Sequence, residues 1–410
     1  MRQRLCTSSG FTLVEMVVVM AVFVVVLVIT SAAFQTVLRR GNIVQKSEES
    51  NIEGVIGLEM LRHDLAQAGF GLFNDPDTIP TYAEAGAVPA SNYNDANAVP
   101  RAIVTGNDLA AIVLPGTDYL AIKATTAGRN NTSQLWTYVT DTGVPHLWGV
   151  NDFDNARNDQ LIVLSQTYKK SQMEVVKSLV QISSTDYAIV YDSAGNFEDM
   201  TGSVTTQYTP TSGKIHYLYG IGTGAAPFAL RAPFNRVDYY VRQVPGEVPA
   251  VCSPATGVLY KAVMSQANGL MAPTIPLLDC VADMQIILGW NTQAEPEQSN
   301  TIDAFSNADG TTTTGVTNGL NIATIMQDPA QVRKRLRQIK VYILVQDGPR
   351  DPDFRNTNNA FTIGDVALGE APLTARAAPL PMSPVDLTTA NMLNYRWKLH
   401  RVVVRPKNLM

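Results

Sequence analysis

Gly10-Phe11-Thr12-Leu13-Val14-Glu15 opens an apolar run that continues through Phe34, and Glu15 is the one charged residue in it. A span of about 20 apolar residues crosses a bilayer as a helix. In lipid the backbone must satisfy its own hydrogen bonds, so even the β-branched stretch from Val22 to Ile29 reads as helix. A short basic leader with Arg2 and Arg4 precedes the run. That basic end is expected to stay in the cytoplasm, with the bulk of the chain on the other side. Arg39 and Arg40 follow the span and weaken the charge asymmetry, but the run's place near the N-terminus keeps the same orientation. Glu15 is the anomaly. A carboxylate inside an apolar span is costly and marks function with a specific partner. The alternative is local: near a helix start, the acid can reach the interface and favour the helix dipole.

Beyond the span, Val55, Leu58, Leu61, Leu65 and Ala68 recur at spacings of three and four, which predicts an amphipathic continuation of the helix. Glu53, Glu59, Arg62 and Asp64 fall on its polar side. Gly41, Gly54 and Gly57 each weaken the helix by up to about 1 kcal/mol relative to Ala. No proline occurs before Pro76, and Gly69 suits the left-handed residue that follows a helix. From Phe11 to Ala68 the rod would be roughly 85–90 Å long. Its outer half needs a surface for its stripe, most simply a sheet.

The chain has 410 residues, 16% of them charged, and a formal net charge of −5. That length is enough for one large or two ordinary domains behind the helix. A nucleic-acid surface would need clustered Lys and Arg, and the composition offers none. Of three cysteines, Cys6 lies in the leader, which leaves Cys252 and Cys280 as an even pair outside the cytoplasm. Oxidising compartments favour bridging them, and closing a loop of about 28 residues is worth roughly 3–4 kcal/mol in the chain-entropy account. Two separate buried thiols are the alternative.

Residues 74–101 are rich in Asn, Asp, Pro and Ala and read as a long surface loop. Short apolar runs bounded by turn residues follow, at 111–114, 119–124, 135–139 and 161–165, then 174–182, 187–191, 237–242 and 258–262. Residues 279–290 form a longer mixed run, and 291–321 read as a mobile polar loop. Ile339, Val341, Ile343 and Val345 alternate with period two and mark a strand, as do residues 396–405. Between these two lies a Pro-rich excursion at 348–384.

The Gly10-to-Glu15 motif and its apolar run resemble the signal of type IV prepilins and type II secretion pseudopilins. The resemblance implies cleavage between Gly10 and Phe11 by a membrane peptidase and methylation of the new N-terminal Phe11. It also implies that Glu15 pairs in lipid with the freed amine of a neighbouring subunit. Residues 61–70 (LRHDLAQAGF), 234–241 (FNRVDYYV), 257–260 (GVLY), 336–341 (LRQIKV) and 395–405 (YRWKLHRVVVR) are similar to the PilW family of minor pilins, and through it to the secretion pseudopilin GspJ. That resemblance implies a type IV pilin-like α+β fold. Residues 1–10 would be the leader peptide and 11–69 the N-terminal helix, with 11–34 in the membrane. Residues 70–410 would be an extracytoplasmic β-rich domain with inserted loops at 74–101, 125–158, 291–330 and 348–385. The resemblance further implies a non-enzymatic minor pilin at the filament tip or in initiation, without cofactor. Its partners would be other major and minor pilins, the prepilin peptidase, the inner-membrane assembly platform and a tip adhesin. It would pass from single-pass inner-membrane protein to surface pilus. A type II secretion pseudopilin is the alternative within the class. A membrane-anchored extracytoplasmic enzyme or binding protein is the alternative outside it.

Catalytic and metal patterns are absent. His63, His146, His216 and His400 lack ligand spacing, and no Cys-x-x-Cys or His-Glu-x-x-His occurs. Gly220-Ile221-Gly222-Thr223-Gly224 lacks the P-loop lysine and reads as a strand turn. Asp347, Asp351 and Asp353, and Asp152, Asp154 and Asp159, are two acidic loops, neither with the EF-hand pattern. Solvated turn acids are the simpler reading of both.

Overall fold

One uninterrupted 55-residue helix, α1 (Leu13–Gln67), opens the architecture. The computed structural model describes residues 12–74, 81–96, 98–107, 113–128, 130–141, 144–146, 159–165, 175–182, 189–191, 206–208, 210, 212–223, 230–244, 246–296, 299–356, 362–363, 373–374 and 392–409. After α1 come β1 (Ile103–Gly106), β2 (Tyr119–Ala124), β3 (Trp136–Val139), β4 (Asp159–Leu164), β5 (Val175–Ile182), β6 (Ile189–Tyr191), β7 (Thr206–Gln207) and β8 (His216–Thr223). Then follow β9 (Asn235–Arg242), β10 (Gly257–Met264), β11 (Met271–Trp290), β12 (Ala304–Ser306) and β13 (Thr312–Gly315). Two short helices, α2 (Ile322–Ile325) and α3 (Pro329–Arg335), lead into β14 (Leu336–Asp347), β15 (Thr362–Ile363), β16 (Leu373–Thr374) and β17 (Arg396–Val404).

The main sheet runs β1-β2-β9-β10-β11, and β11 continues it through β14 to β17 and through β12 to β13. A six-stranded sheet, β3-β8-β4-β5-β6-β7, lies beside it, and every described pairing is antiparallel. A helix bearing the apolar N-terminal span followed by an antiparallel sheet domain is the α+β class that the sequence predicts. The strands at 235–242 and 257–264 form the adjacent pair expected of them, with Leu259 opposite Val241. The closing strands pair Val341 with Val402.

Side chains alternate across each strand. On one face, Leu120, Ile122, Val237, Tyr239, Leu259, Val341 and Val402 join the main core, and α1 lays Leu61, Leu65 and Ala68 on it with no exposed surface. The predicted stripe is shifted. Val55 is 64% exposed, and Gly54 and Gly57 take the buried positions instead. A Cβ on Gly57 would lie 2.7 Å from the Leu277 carbonyl oxygen of β11, and one on Gly54 would lie 3.0 Å from the Leu278 side chain. The glycines cost helix propensity but let the helix touch the strand. Gly57→Ala should therefore lower the unfolding midpoint, by the equivalent of about 1–3 kcal/mol, despite the better propensity of Ala, because strand backbone cannot retreat. Gly41→Ala is the control, since nothing lies within 4 Å of that site. Thermal unfolding of the full chain in detergent would check both; an unchanged or raised midpoint for Gly57→Ala would show that helix and strand separate freely.

The helix ends as Gly69 predicts, with φ +81°. Its last carbonyls, which no helical turn can satisfy, are met by the C-terminal segment. The Lys407 amide donates to Ala66 (3.2 Å), and Asn408 Nδ2 donates to Gln67 (3.0 Å).

Several loop expectations are overturned. Within 74–101 the described part is no surface loop: Tyr82 is buried in the main core, and Glu84, Ala90 and Tyr93 are buried too, with Tyr93 in the cluster on the second face of the main sheet. Its polar residues are tolerated inside because each finds a charged or hydrogen-bonding partner there. Within 291–321, β12 and β13 extend β11, and Asn291, Thr292 and Ser306 are buried and hydrogen-bonded. Gly220 and Gly222 lie inside β8 rather than at a turn. Of the expected strand at 111–114, Val113 makes a single bridge to Arg242, and residues 111–112 lie outside the described residues. Cys252 and Cys280 are joined in a disulfide with Cα atoms 5.0 Å apart.

Candidate functional site

Two parts of the molecule carry specific chemistry: the tip of α1 and the charged groups that fasten α1 and the 81–101 segment to the sheet. Thr12 is the N-cap of α1 and Glu15 its third residue. The Thr12 amide and hydroxyl both donate to Glu15 Oε2 at 2.9 Å, and the Glu15 amide donates back to Thr12 Oγ1 at 3.3 Å. This capping box satisfies two of the helix's otherwise orphaned donors. The second carboxylate oxygen, Oε1, has no partner among the described residues. The arrangement therefore holds an acid by one oxygen at the mouth of an apolar helix. From Leu13 to Gln35 the helix is long and apolar enough to cross a membrane, and none of it is buried in the fold. Gly10 and Phe11 lie outside the described residues.

Residues 6–31 match the family model for the prokaryotic N-terminal methylation motif. No curated protein matches the sequence. A solved structure, the type IV-like pilin TTHA1219 from Thermus thermophilus, is similar over 62% of this chain and 87% of its own, at 11% identity and a TM-score of 0.21. A likeness of that size carries no weight, and the fold rests on the elements above. The chain thus bears a prepilin-type methylation motif on a membrane-type helix that leads into an antiparallel sheet domain, which fits a pilin or a pseudopilin.

At the other end of α1, Asp64 stands on the docked face, 1% exposed, and not on the polar side expected of it. Lys261 Nζ and the Tyr239 hydroxyl both donate to its Oδ2, the latter at 2.7 Å. Burial works against ionising Asp64, but His63, Lys261 and Tyr239 outweigh it and hold the carboxyl below its usual range.

On the opposite sheet face, Lys123 and Arg236 are wholly buried. Arg236 pairs both ways with Asp238 at 2.8 Å, and donates to Glu84 (3.0 Å), Asn94 (2.7 Å) and the Ala90 carbonyl (2.7 Å). All five of its donors are used. Lys123 Nζ meets Glu84 at 2.8 Å and Asp95 at 2.6 Å, and Arg101 Nε meets Asp95 at 2.7 Å. Three cations balance three carboxylates. Burial opposes the charge on Asp95, but Lys123 and Arg101 prevail and depress its pKa; burial likewise opposes Arg236, and Asp238 and Glu84 raise it regardless.

Other candidate residues do not converge. His63 lies 3.5 Å from Asp64, His146 stacks on Tyr138, His216 contacts Tyr208 and His400 sits in β17. Asp351 pairs with Arg396 at 3.2 Å. Among the described residues no three acids, histidines or cysteines gather to hold a metal ion, and Asp152 and Asp154 lie outside them.

Proposed function

We propose that this protein is a minor pilin. It starts as a single-pass inner-membrane subunit, is cut between Gly10 and Phe11, is methylated on Phe11, and enters a filament through α1. The observation that carries this reading is the methylation motif at 6–31 running without a break into α1, whose first 23 residues touch nothing in the fold. Such a surface needs lipid or other helices around it. Glu15, half-satisfied by Thr12, supplies the acceptor for a neighbour's amine. The bulk of the sheet domain favours a tip or initiating position over the repeating shaft, where a head of this size on every subunit would crowd a helical bundle. Its partners in this reading are the other major and minor pilins, the prepilin peptidase, the inner-membrane assembly platform and an adhesin at the tip. A pseudopilin of a type II secretion system shares every one of these features up to the filament it joins.

Mass spectrometry of sheared surface filaments decides between them. The expected result is this chain at well below one copy per major subunit, beginning with methylated Phe11. Its presence only in membranes of secreting cells would favour the pseudopilus, and an intact Met1 start in assembled material would rule out processing.

A further inference from the structure

We propose that Asp64, held by Lys261 and Tyr239, is a positioning residue that fixes the register of α1 on the sheet and so the height at which the membrane segment projects. This rests on the assembly reading above. Around Asp64 the apolar contacts of α1 discriminate poorly between registers. Leu61 and Leu65 stand one turn apart and are both fully buried, so a shift of one turn puts one leucine where the other was and Gly57 or Gly69 in the vacated place. Asp64 cannot be exchanged in that way. The same shift brings Met60 or Ala68 opposite Lys261 and strands a buried amine without its acceptor, which apolar surroundings do not tolerate. Lys261 and Tyr239 sit directly opposite each other on β10 and β9, so their two donors converge on one point and accept a carboxylate from one helical position.

Buried ion pairs add little stability over an apolar replacement, and their best-attested use is to select one register among several. Register matters here because α1 is one continuous helix from the sheet to the membrane segment. A slip of one turn moves the whole apolar span about 5.4 Å relative to the head. A subunit so displaced presents Glu15 at the wrong height to its neighbours. The glycine notch at Gly54 and Gly57 opposes the same slip sterically, since it would bring Glu53 or Leu61 against the Leu277 carbonyl, and Asp64 adds the polar constraint nearer the end of the helix.

The test uses the full chain in detergent, with Cys6→Ser and spin labels at Glu59→Cys and Leu270→Cys, both exposed sites. The wild-type background should give one narrow distance. Asp64→Leu combined with Lys261→Met should keep the unfolding midpoint, add a second distance displaced by up to about 5 Å, and cut the share of the chain found in sheared filaments at least fivefold. A single wild-type distance in the double variant overturns the register role. A second distance with an undiminished filament share overturns its link to assembly. If the double variant fails to fold, Tyr239→Phe, which keeps the ring and the ion pair, should show a minor second distance; an unaltered distance there also overturns the role. Absence of the unmutated chain from filaments would count against the assembly reading alone, since the distances still decide the register.

Discussion

Glu84→Ala should be the most destabilising single change in the sheet domain, by about 3–5 kcal/mol, because it leaves buried cations without their counter-charge. Glu84 is 1% exposed and meets Lys123 at 2.8 Å and Arg236 at 3.0 Å, both fully buried. Removing it leaves three cations facing two carboxylates in a dry interior. It also removes the acceptor of the Asp95 amide, at 2.6 Å, and with it a tie between two points eleven residues apart in the 81–101 segment. Against a typical total stability of roughly 5–15 kcal/mol, such a loss would be visible at once in a denaturant midpoint. Glu84→Gln should lose less, since it keeps an acceptor in place. The contrast is Glu59→Ala: Glu59 pairs with Arg62 at 3.6 Å on the outer surface of α1, 71% exposed, where ion pairs contribute about 0–1 kcal/mol. Urea unfolding of the three variants provides the comparison. A Glu84→Ala midpoint no lower than that of Glu59→Ala would mean that the 81–101 segment does not depend on its charges.

Why Glu84 was illegible in the sequence while α1 was not is a matter of range. The helix declares itself locally: a run of apolar residues, no proline before Pro76, and a glycine at 69 where the chain turns left-handed. The strand at 336–347 declares itself by alternation. The charged layer has no local sign. Lys123 and Glu84 are 39 residues apart, and a segment of Asn, Asp, Pro and Ala looks solvated until its partners on β2 and β9 are known. The one hint was Arg236 and Asp238, two residues apart within a strand, which places both on one face and calls for a polar lid. Asp64 misleads by its charge: three residues from Leu61 and four from Ala68, it falls on the docked face, but a carboxylate reads as solvated until Lys261, 197 residues away, is known. Thr12 was readable. Thr12-Leu13-Val14-Glu15 has the spacing of a capping box, a local signal carried by four consecutive residues.

Glu15→Ala should leave membrane insertion and the sheet domain intact but lower filament incorporation by about tenfold or more, the response expected when one member of a charge pair in a low-dielectric bundle is deleted. In the lone subunit the change is nearly balanced. Losing a carboxylate from an apolar span favours the bilayer, while losing the capping box with Thr12 weakens the first helical turn. Neither effect reaches the sheet, which contacts α1 only beyond the membrane segment. In the assembled state the balance differs. A neighbour's amine in the bundle would lose its acceptor and remain buried, so the penalty falls on the filament alone and shifts subunits back to the membrane. Glu15→Gln separates the two roles. Its amide oxygen can still accept from Thr12, which restores the cap, but it carries no charge to meet an amine. If charge is what assembly uses, Gln should be as defective as Ala; if the cap is what matters, Gln should restore incorporation. The measurement is the ratio of each variant in sheared filaments to its level in membranes. Wild-type ratios for both would reduce Glu15 to a helix cap and leave α1 as a plain anchor. A tip position softens the effect, because a subunit with neighbours on one side only has fewer amines to lose.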